Sequence, residues 1–410
     1  MNQMSSVPLH PPPVPSEVSF AGDRGEFRRL VTRGAGLELL TFGFYRFWLA
    51  TDIRRHLWSN TLIGGNAAEY TGRGKELLFG FLFAIAILMP IYLLYFLIGV
   101  EAERAKAFAS FPLFLFFYLF GQFAIYRARR YRLTRTVWCG VRFWMSGSGL
   151  AYAGRAALWG VLSGLTLGLA LPWRQAALER YKMRHSYYGD LPGRFEGTGW
   201  EFFKQGWWLW LLAFAPFAML MAFPVVQFIP RLAPIAKAIP VVSGIVTPLI
   251  LLMLPFIYGL FKAMEWRWWL SGIRFGDVRF ESSLRNGALV GLYWKVIGWF
   301  LLIATLFSAY LFGCAAVFAG ISHTPVAKLF TPANLQGSIP MLVAAVIGYL
   351  AFILTLNVVM RVYLLRDVWA RVIASTTVYG LGAAANVAAE GELANALGEG
   401  FADGLDVAGF

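Results

Sequence analysis

The stretch Leu77 to Val100, LLFGFLFAIAILMPIYLLYFLIGV, runs for 24 residues without a charged side chain. A hydrocarbon core about 30 Å thick asks for about 20 such residues in a helix, so this run reads as a membrane crossing. Five further runs share its character: Phe108 to Tyr126, Trp207 to Pro230, Val241 to Phe261, Val296 to Ile321 and Pro340 to Met360. Together they predict an all-α integral membrane protein of about six transmembrane helices in three hairpins, with internal repeats and small β-like cytoplasmic segments. Of the 410 residues, 58% are hydrophobic and 14% charged, against about 25% charged residues in an ordinary soluble domain. A soluble fold of this length would lack the polar residues to cover its surface.

Charge then predicts orientation. The chain carries 36 Lys and Arg against 22 Asp and Glu, a net charge of +14. Arg127 to Arg194 alone holds twelve of the basic residues and Arg267 to Arg285 four, while nine precede the first crossing. With six crossings these blocks fall on one side, which the positive-inside rule makes the cytoplasm, with both termini in it. Their place beside apolar runs points to anionic lipid headgroups as partners and away from nucleic acid. The segment Gly149 to Leu171 is long enough to span, yet it carries Arg155 and five glycines. Its crossing would break the charge pattern, so it is expected to be re-entrant or interfacial.

Sliding the chain on itself by 125 residues aligns Thr41 to Leu78 with Thr166 to Phe203, without a gap. The identities include Thr41/Thr166, Gly43/Gly168, Trp48/Trp173, Arg55/Arg180, Gly64/Gly189, Gly72/Gly197 and Gly74/Gly199. A third copy is read near the C-terminus, where Arg371, Thr377 and Gly380 keep the spacing of Arg55, Thr61 and Gly64; Arg130 and Arg267 look like weaker echoes. Each unit reads as an approach helix, a basic turn, a Gly-rich β-like stretch and a membrane hairpin. The expected organisation is a disordered Pro-rich tail over 1–19, a first repeat unit with its hairpin over 20–135, a second over 136–285, and a third hairpin with the degenerate repeat over 286–410.

The elements FAGDRGEF, LTFGFYRFW, LTLGLALPW, RRHLWSNTLIGG, ERYKMRHSYYGD and the closing GEGFADGLDVAGF resemble the YjgN-like family of bacterial inner-membrane proteins, a family of unknown function. The resemblance covers nearly the whole chain from Phe20 to Phe410. It implies a location in the bacterial inner membrane and carries no catalytic residue.

Signatures of catalysis are weak. TGRGKELL ends like a phosphate loop, but Glu69 stands where the leading glycine belongs and Glu76 where Ser or Thr belongs. His10, His56, His185 and His323 are scattered, and Cys139 and Cys314 have no partner spacing, so no metal or cofactor is expected. The six runs hold no Asp, Glu, Lys, Arg or His, which weakens the alternative of a transporter or channel with an ionisable midplane site. Arginine beside aromatics is the recurring feature, and it suits a membrane boundary where guanidinium meets lipid phosphate. Arg55, Arg180 and Arg371 are accordingly the candidate anion or lipid contacts of a non-enzymatic protein.

Overall fold

Four pairs of short strands are joined by two-residue turns, Gly64–Gly65, Cys139–Gly140, Gly189–Asp190 and Gly276–Asp277. The first residue of each turn has positive φ, at 55°, 47°, 54° and 53°. That geometry matches the twist of paired strands, and three of the four turns open on glycine. The pairs are β2 (Thr61–Ile63) with β3 (Asn66–Tyr70), β4 (Thr136–Trp138) with β5 (Val141–Met145), β6 (Ser186–Tyr188) with β7 (Leu191–Phe195), and β8 (Ile273–Phe275) with β9 (Val278–Ser282). The computed structural model describes residues 15–104, 110–227, 233–322 and 339–394. Within them β1 (Pro15–Phe20) and β10 (Thr376–Tyr379) supply the fifth pair, joining the two ends of the chain with Pro15 opposite Tyr379. The ten strands close into an antiparallel barrel in which every strand lies beside its sequence neighbours, and β1 bridges β10 and β2. Closure removes the sheet edges that strands this short could not otherwise protect.

Because the tight turns occupy one rim, the described α-helices join the other. Those entering the ring are α2 (Arg46–Ser59), α4 (Ser110–Thr134), α6 (Leu171–Arg184), α8 (Ala233–Gly272) and α11 (Val368–Ala374). Those leaving it are α1 (Arg24–Leu40), α3 (Gly74–Arg104), α5 (Gly149–Leu165), α7 (Gly199–Gln227) and α9 (Val290–Ser322). The helix α10 (Ile339–Met360) continues through a π-helical turn, Arg361–Asp367, into α11. The ring is filled by Trp138, Tyr188, Val278 and Val378, with Phe143, Phe275 and Phe280 packed against them. At the turn side Leu381, Ala384 and Val387 join that core, so the chain after β10 stops the mouth. It then crosses the β6–β7 turn, where Ala388 N donates to Asp190 Oδ1 and Asp190 N to Ala388 O, both at 3.1 Å.

The expected all-α class of six crossings in three hairpins is overturned. Ten strands close into an antiparallel barrel that anchors the helices. Among the described residues three helices are long and apolar enough to cross a membrane, over Gly74–Ile98, Val290–Ile321 and Ile339–Ala374. A fourth is added if Pro240–Ile250 and Leu252–Gly272, bent by 52°, form one span. Pro255 explains that break, since its ring cannot accommodate the carbonyl four residues earlier. Strands of three to five residues are invisible to a window sized for a helix, which is why the barrel escaped a reading based on hydropathy. The strand β1 begins at Pro15, inside the stretch read as a tail.

The segment Gly149 to Leu171 divides between α5 and the start of α6. Between them Leu167 and Gly168 have φ of 51° and 87°, and Gly168 N donates to Ser163 O at 2.7 Å. The α1–α2 corner has the same construction: Phe42 and Gly43 at 52° and 89°, and Gly43 N to Glu38 O at 2.7 Å. These are Schellman-type helix ends, which need left-handed backbone after the last turn.

Candidate ligand-binding chamber

Four of the five entering helices end in one way. The first strand residue is Thr61, Thr136, Ser186 or Thr376, and its hydroxyl donates back to the carbonyl four residues earlier, at 2.7 to 2.8 Å. Ile273 takes that place after α8. The bond fixes the phase of each helix against the ring, so equivalent positions can be matched. Seven residues before the strand stand Arg54, Arg129, Glu179, Trp266 and Trp369; four before, Leu57, Arg132, Lys182, Trp269 and Val372; three before, Trp58, Leu133, Met183, Leu270 and Ile373. This spacing places each trio on one helix face.

Eleven of these fifteen side chains line a chamber of about 350 Å³ that all five entering helices enclose. Its basic groups are Arg129, Arg132 and Lys182, and among the described residues no carboxylate lines it. Four tryptophans, Trp58, Trp266, Trp269 and Trp369, also line it. Two are fixed by their neighbours: Trp58 and Trp369 stack at 5.3 Å, and their indole N–H groups donate to Thr136 Oγ1 and Thr61 Oγ1, each at 3.0 Å. A second cavity of about 400 Å³ opens beside the first between α4, α6 and α8, and shares Ile125, Arg129, Lys182, Trp266 and Trp269 with it. It adds Gln122, Arg174 and Gln175, along with the ion pair of Lys262 and Glu265 at 2.6 Å.

Glu179 lies where the two cavities meet. Its Oε2 accepts from Arg129 Nη1 at 3.0 Å and from Trp269 Nε1 at 3.1 Å, while Lys182 donates to Oε1. Burial alone would raise its pKa, but Lys182 and Arg129 outweigh burial and hold the carboxyl down at about 2. Burial pushes the Lys182 ammonium down, and Glu179 opposes that push. The three charged groups keep 12 to 19% of their side-chain surface exposed. One carboxylate therefore faces two cations, Arg129 and Lys182, at the two cavities' common wall.

Arg55 and Arg180 stand one position past the chamber face. Arg55 Nη2 donates to Gly72 O at 2.8 Å and Arg180 Nη2 to Gly197 O at 3.4 Å, in each case the carbonyl 17 residues on. Arg267 does the same to Leu284 O, at 3.3 Å. These guanidiniums tie the exit from each hairpin to the helix that entered it. Arg371 donates to Ala288 O in the exit of the neighbouring hairpin. By helix phase Arg371 matches His56, and Ala370 matches Arg55, because β10 has one residue more than β2 before its glycine. The three candidate arginines thus have separate carbonyl partners, and the structure does not gather them into one site. Glu76, from the failed phosphate-loop match, accepts from Tyr131 Oη at 2.7 Å and from Arg135 Nη2 at 2.8 Å. Among the described residues no three His, Cys, Asp or Glu are placed to hold a metal ion.

Sequence reasoning missed Arg129, Arg132, Glu179 and Lys182 because it searched the apolar runs for ionisable groups, and these lie just beyond them. The signal that could have found them is the hydroxyl that begins four of the short strands, from which the helix faces can be counted back.

Fold and chamber define the class: a ring of β-hairpins carrying on one rim a helical cage, with spans long enough for a bilayer and a basic, tryptophan-walled cavity on its axis. The chain belongs to the family DUF898, bacterial proteins of unknown function, whose model matches residues 15–404. That match begins at the first residue of β1. No curated protein and no solved structure matches the chain.

Proposed function

We propose that this is a non-enzymatic, multi-pass protein of the bacterial inner membrane, with both termini cytoplasmic, that holds an anionic ligand in the chamber at the centre of its cage. The observation that carries the reading is the chamber wall: three cations, four indoles and no carboxylate among the described residues, on equivalent faces of five helices. Guanidinium and ammonium groups in a partly desolvated cavity favour an anion far more than they would in water. The indoles offer contact area to an apolar body. These are holding groups, and Glu179, the nearby acid, is committed to Arg129, Lys182 and Trp269. Membrane lipids are the natural partners, because α3 presents Phe79, Phe83, Leu94 and Leu97 outward along its span, surface that a soluble protein would bury. Arg55, Arg180 and Arg371 belong to the same reading as headgroup contacts on the ring side of the cage. Internal duplication accounts for the matched corners at Phe42/Leu167 and the matched staples at Arg55/Arg180.

Two measurements test it. All hairpin turns share one rim and therefore one side of the membrane, and Cys139 is exposed in the second turn. A membrane-impermeant maleimide should label Cys139 in inside-out vesicles and leave it unlabelled in right-side-out vesicles; the reverse pattern refutes the orientation. Native mass spectrometry of purified protein should find less anionic lipid retained by R132Q/K182Q than by the parent. Equal retention refutes the chamber as the binding site.

A further inference from the structure

We propose that Glu179 is an internal substitute for the ligand's anionic group: a phosphate carried on an apolar body displaces its carboxylate from Arg129, Lys182 and Trp269 when the chamber fills. The inference rests on the chamber reading and adds to it how the site is kept satisfied when empty and which anion it takes. Of the fifteen inward positions on the five helices, Glu179 is the only acid. It receives a guanidinium N–H at 3.0 Å, an indole N–H at 3.1 Å and the Lys182 ammonium on its two oxygens. A tetrahedral phosphate oxygen pair asks for the same donor set, since planar guanidinium and ammonium recognise carboxylate and phosphate alike.

Position supports the exchange. Arg129, Lys182 and Trp269 line both cavities, whereas Glu179 lines only the lateral one. The donors therefore form the partition, and an anion in the central chamber can reach them from the face opposite Glu179. Without any anion the partition would bury Arg129 and Lys182 uncompensated, a costly arrangement. With both anions present, two negative charges would share one set of donors, so Glu179 must yield. Apart from Arg132 and Thr136, the rest of the central wall, with Trp58, Leu133, Trp369, Val372 and Ile373, is apolar and suits a hydrocarbon tail. The combined space of the two cavities lies in the range of small-molecule sites. Phosphate on an apolar body is the chemistry of a phospholipid head, although a free phosphate would meet the same donors.

The full chain in detergent, as parent, E179Q and R132Q, can be titrated with inorganic phosphate, dihexanoyl phosphatidylglycerol and dihexanoyl phosphatidylcholine by calorimetry. Removing the competing charge while keeping the side-chain shape should tighten binding of the anionic probe about tenfold in E179Q, with a smaller gain for the zwitterionic lipid, whose choline offsets the charge of the same phosphate group. A gain confined to the lipids assigns the phosphate to lipid, and a gain with inorganic phosphate as well assigns it to a free anion; either supports the exchange. A merely structural Glu179 predicts unchanged or weaker binding in E179Q, and that result overturns the inference. R132Q separates the two levels: if it weakens the parent's binding while E179Q brings no gain, the chamber stands and the exchange falls. If R132Q has no effect on binding, the chamber reading itself falls. Should E179Q not be recovered folded, E179D takes its place, because its shorter reach loosens the same contacts. A smaller gain is expected there, and no gain overturns the inference equally.

Discussion

Replacing Gly199 by Ala should destabilise the protein, while the same substitution at Gly206, two turns along α7, should stabilise it. A Cβ at Gly199 would come within 2.7 Å of Trp173 Cα and 2.9 Å of Trp173 N. Both are backbone atoms of α6, which cannot rotate aside as a side chain would. Gly74 faces Trp48 in the same way, at 2.8 Å and 3.0 Å from the corresponding atoms. Overpacking against a fixed neighbour costs about 1–3 kcal/mol. Alanine gains up to about 1 kcal/mol over glycine inside a helix, but Gly199 is the first residue of α7 and collects little of that. The net expectation for G199A is a loss of about 1–3 kcal/mol, and G74A should behave alike. At Gly206 an added Cβ meets nothing within 4 Å, so G206A should gain about 0.5–1 kcal/mol from helix propensity alone. Chemical unfolding followed by tryptophan fluorescence, compared at constant slope, reads both signs in one assay. If G199A unfolds at or above the parent's midpoint while G206A is stabilised, the close approach of α7 to α6 is wrong.

The imidazole of His56 is pushed below its ordinary value of 6.5 by burial, against the pull of Glu26. Its folded form stays neutral while the unfolded chain takes up a proton more readily, so its contribution is complete above about pH 6.5 and is lost as pH falls through that value toward the lower folded one. Stability should therefore drop as pH falls below about 6.5 in the parent and flatten in H56L; an unchanged slope would remove His56 from the account. Asp190→Ala removes the acceptor of Ala388 N, and at about 1 kcal/mol for that bond the segment after β10 should open about fivefold more often. Limited proteolysis should then cut within 381–394 faster, and equal rates would show that the strap is held by its apolar contacts alone. The triple variant R55Q/R180Q/R371Q should retain less anionic lipid than the parent in native mass spectrometry, and it should unfold more easily because each arginine holds a backbone carbonyl. Parental lipid retention would leave these arginines as staples only.

The order helix, strand, strand, helix that Thr41–Leu78 and Thr166–Phe203 have in common accompanies glycines that keep their spacing along the two stretches. The Gly-rich turns were legible as β-like stretches. Closure of the ring was not, because β2, β4, β6 and β8 hold three residues each and β1 pairs with a strand more than 350 residues away. No local pattern carries a pairing of that range. Hydropathy also placed more crossings than the three helices, or four with the bent pair, that are long and apolar enough among the described residues. The other units stayed hidden for a related reason. Their spacing along the chain is unequal, set by helices of very different length, so a single ungapped shift finds one pair and misses the rest. At the C-terminus the extra residue of β10 moved the match by one, which picked Arg371 in place of Ala370.

Five helices entering a ring at one phase would, if identical, wall the axis with five copies of one side chain, and such a chamber could bind only a symmetric ligand or none. The fold keeps the scaffold alike and lets the inward positions diverge. The hydroxyl bond at the helix end persists in four units, whereas the position seven residues earlier holds two arginines, one glutamate and two tryptophans. The divergence is polarised. α4 and α6 bring Arg129, Arg132, Glu179 and Lys182, while α8 and α11 bring Trp266, Trp269, Trp369, Val372 and Ile373. An amphiphile lying across the axis would meet charge on one side and indole on the other, so the asymmetry fixes which way it points. Moving the charge should therefore do more than deleting it. In V372R/R132V the net charge is conserved but the cation stands among the tryptophans, and an anionic lipid should lose its affinity as fully as in R132Q. Retained affinity would mean that the chamber reads only total charge, and that the divergence of the five units has no part in recognition.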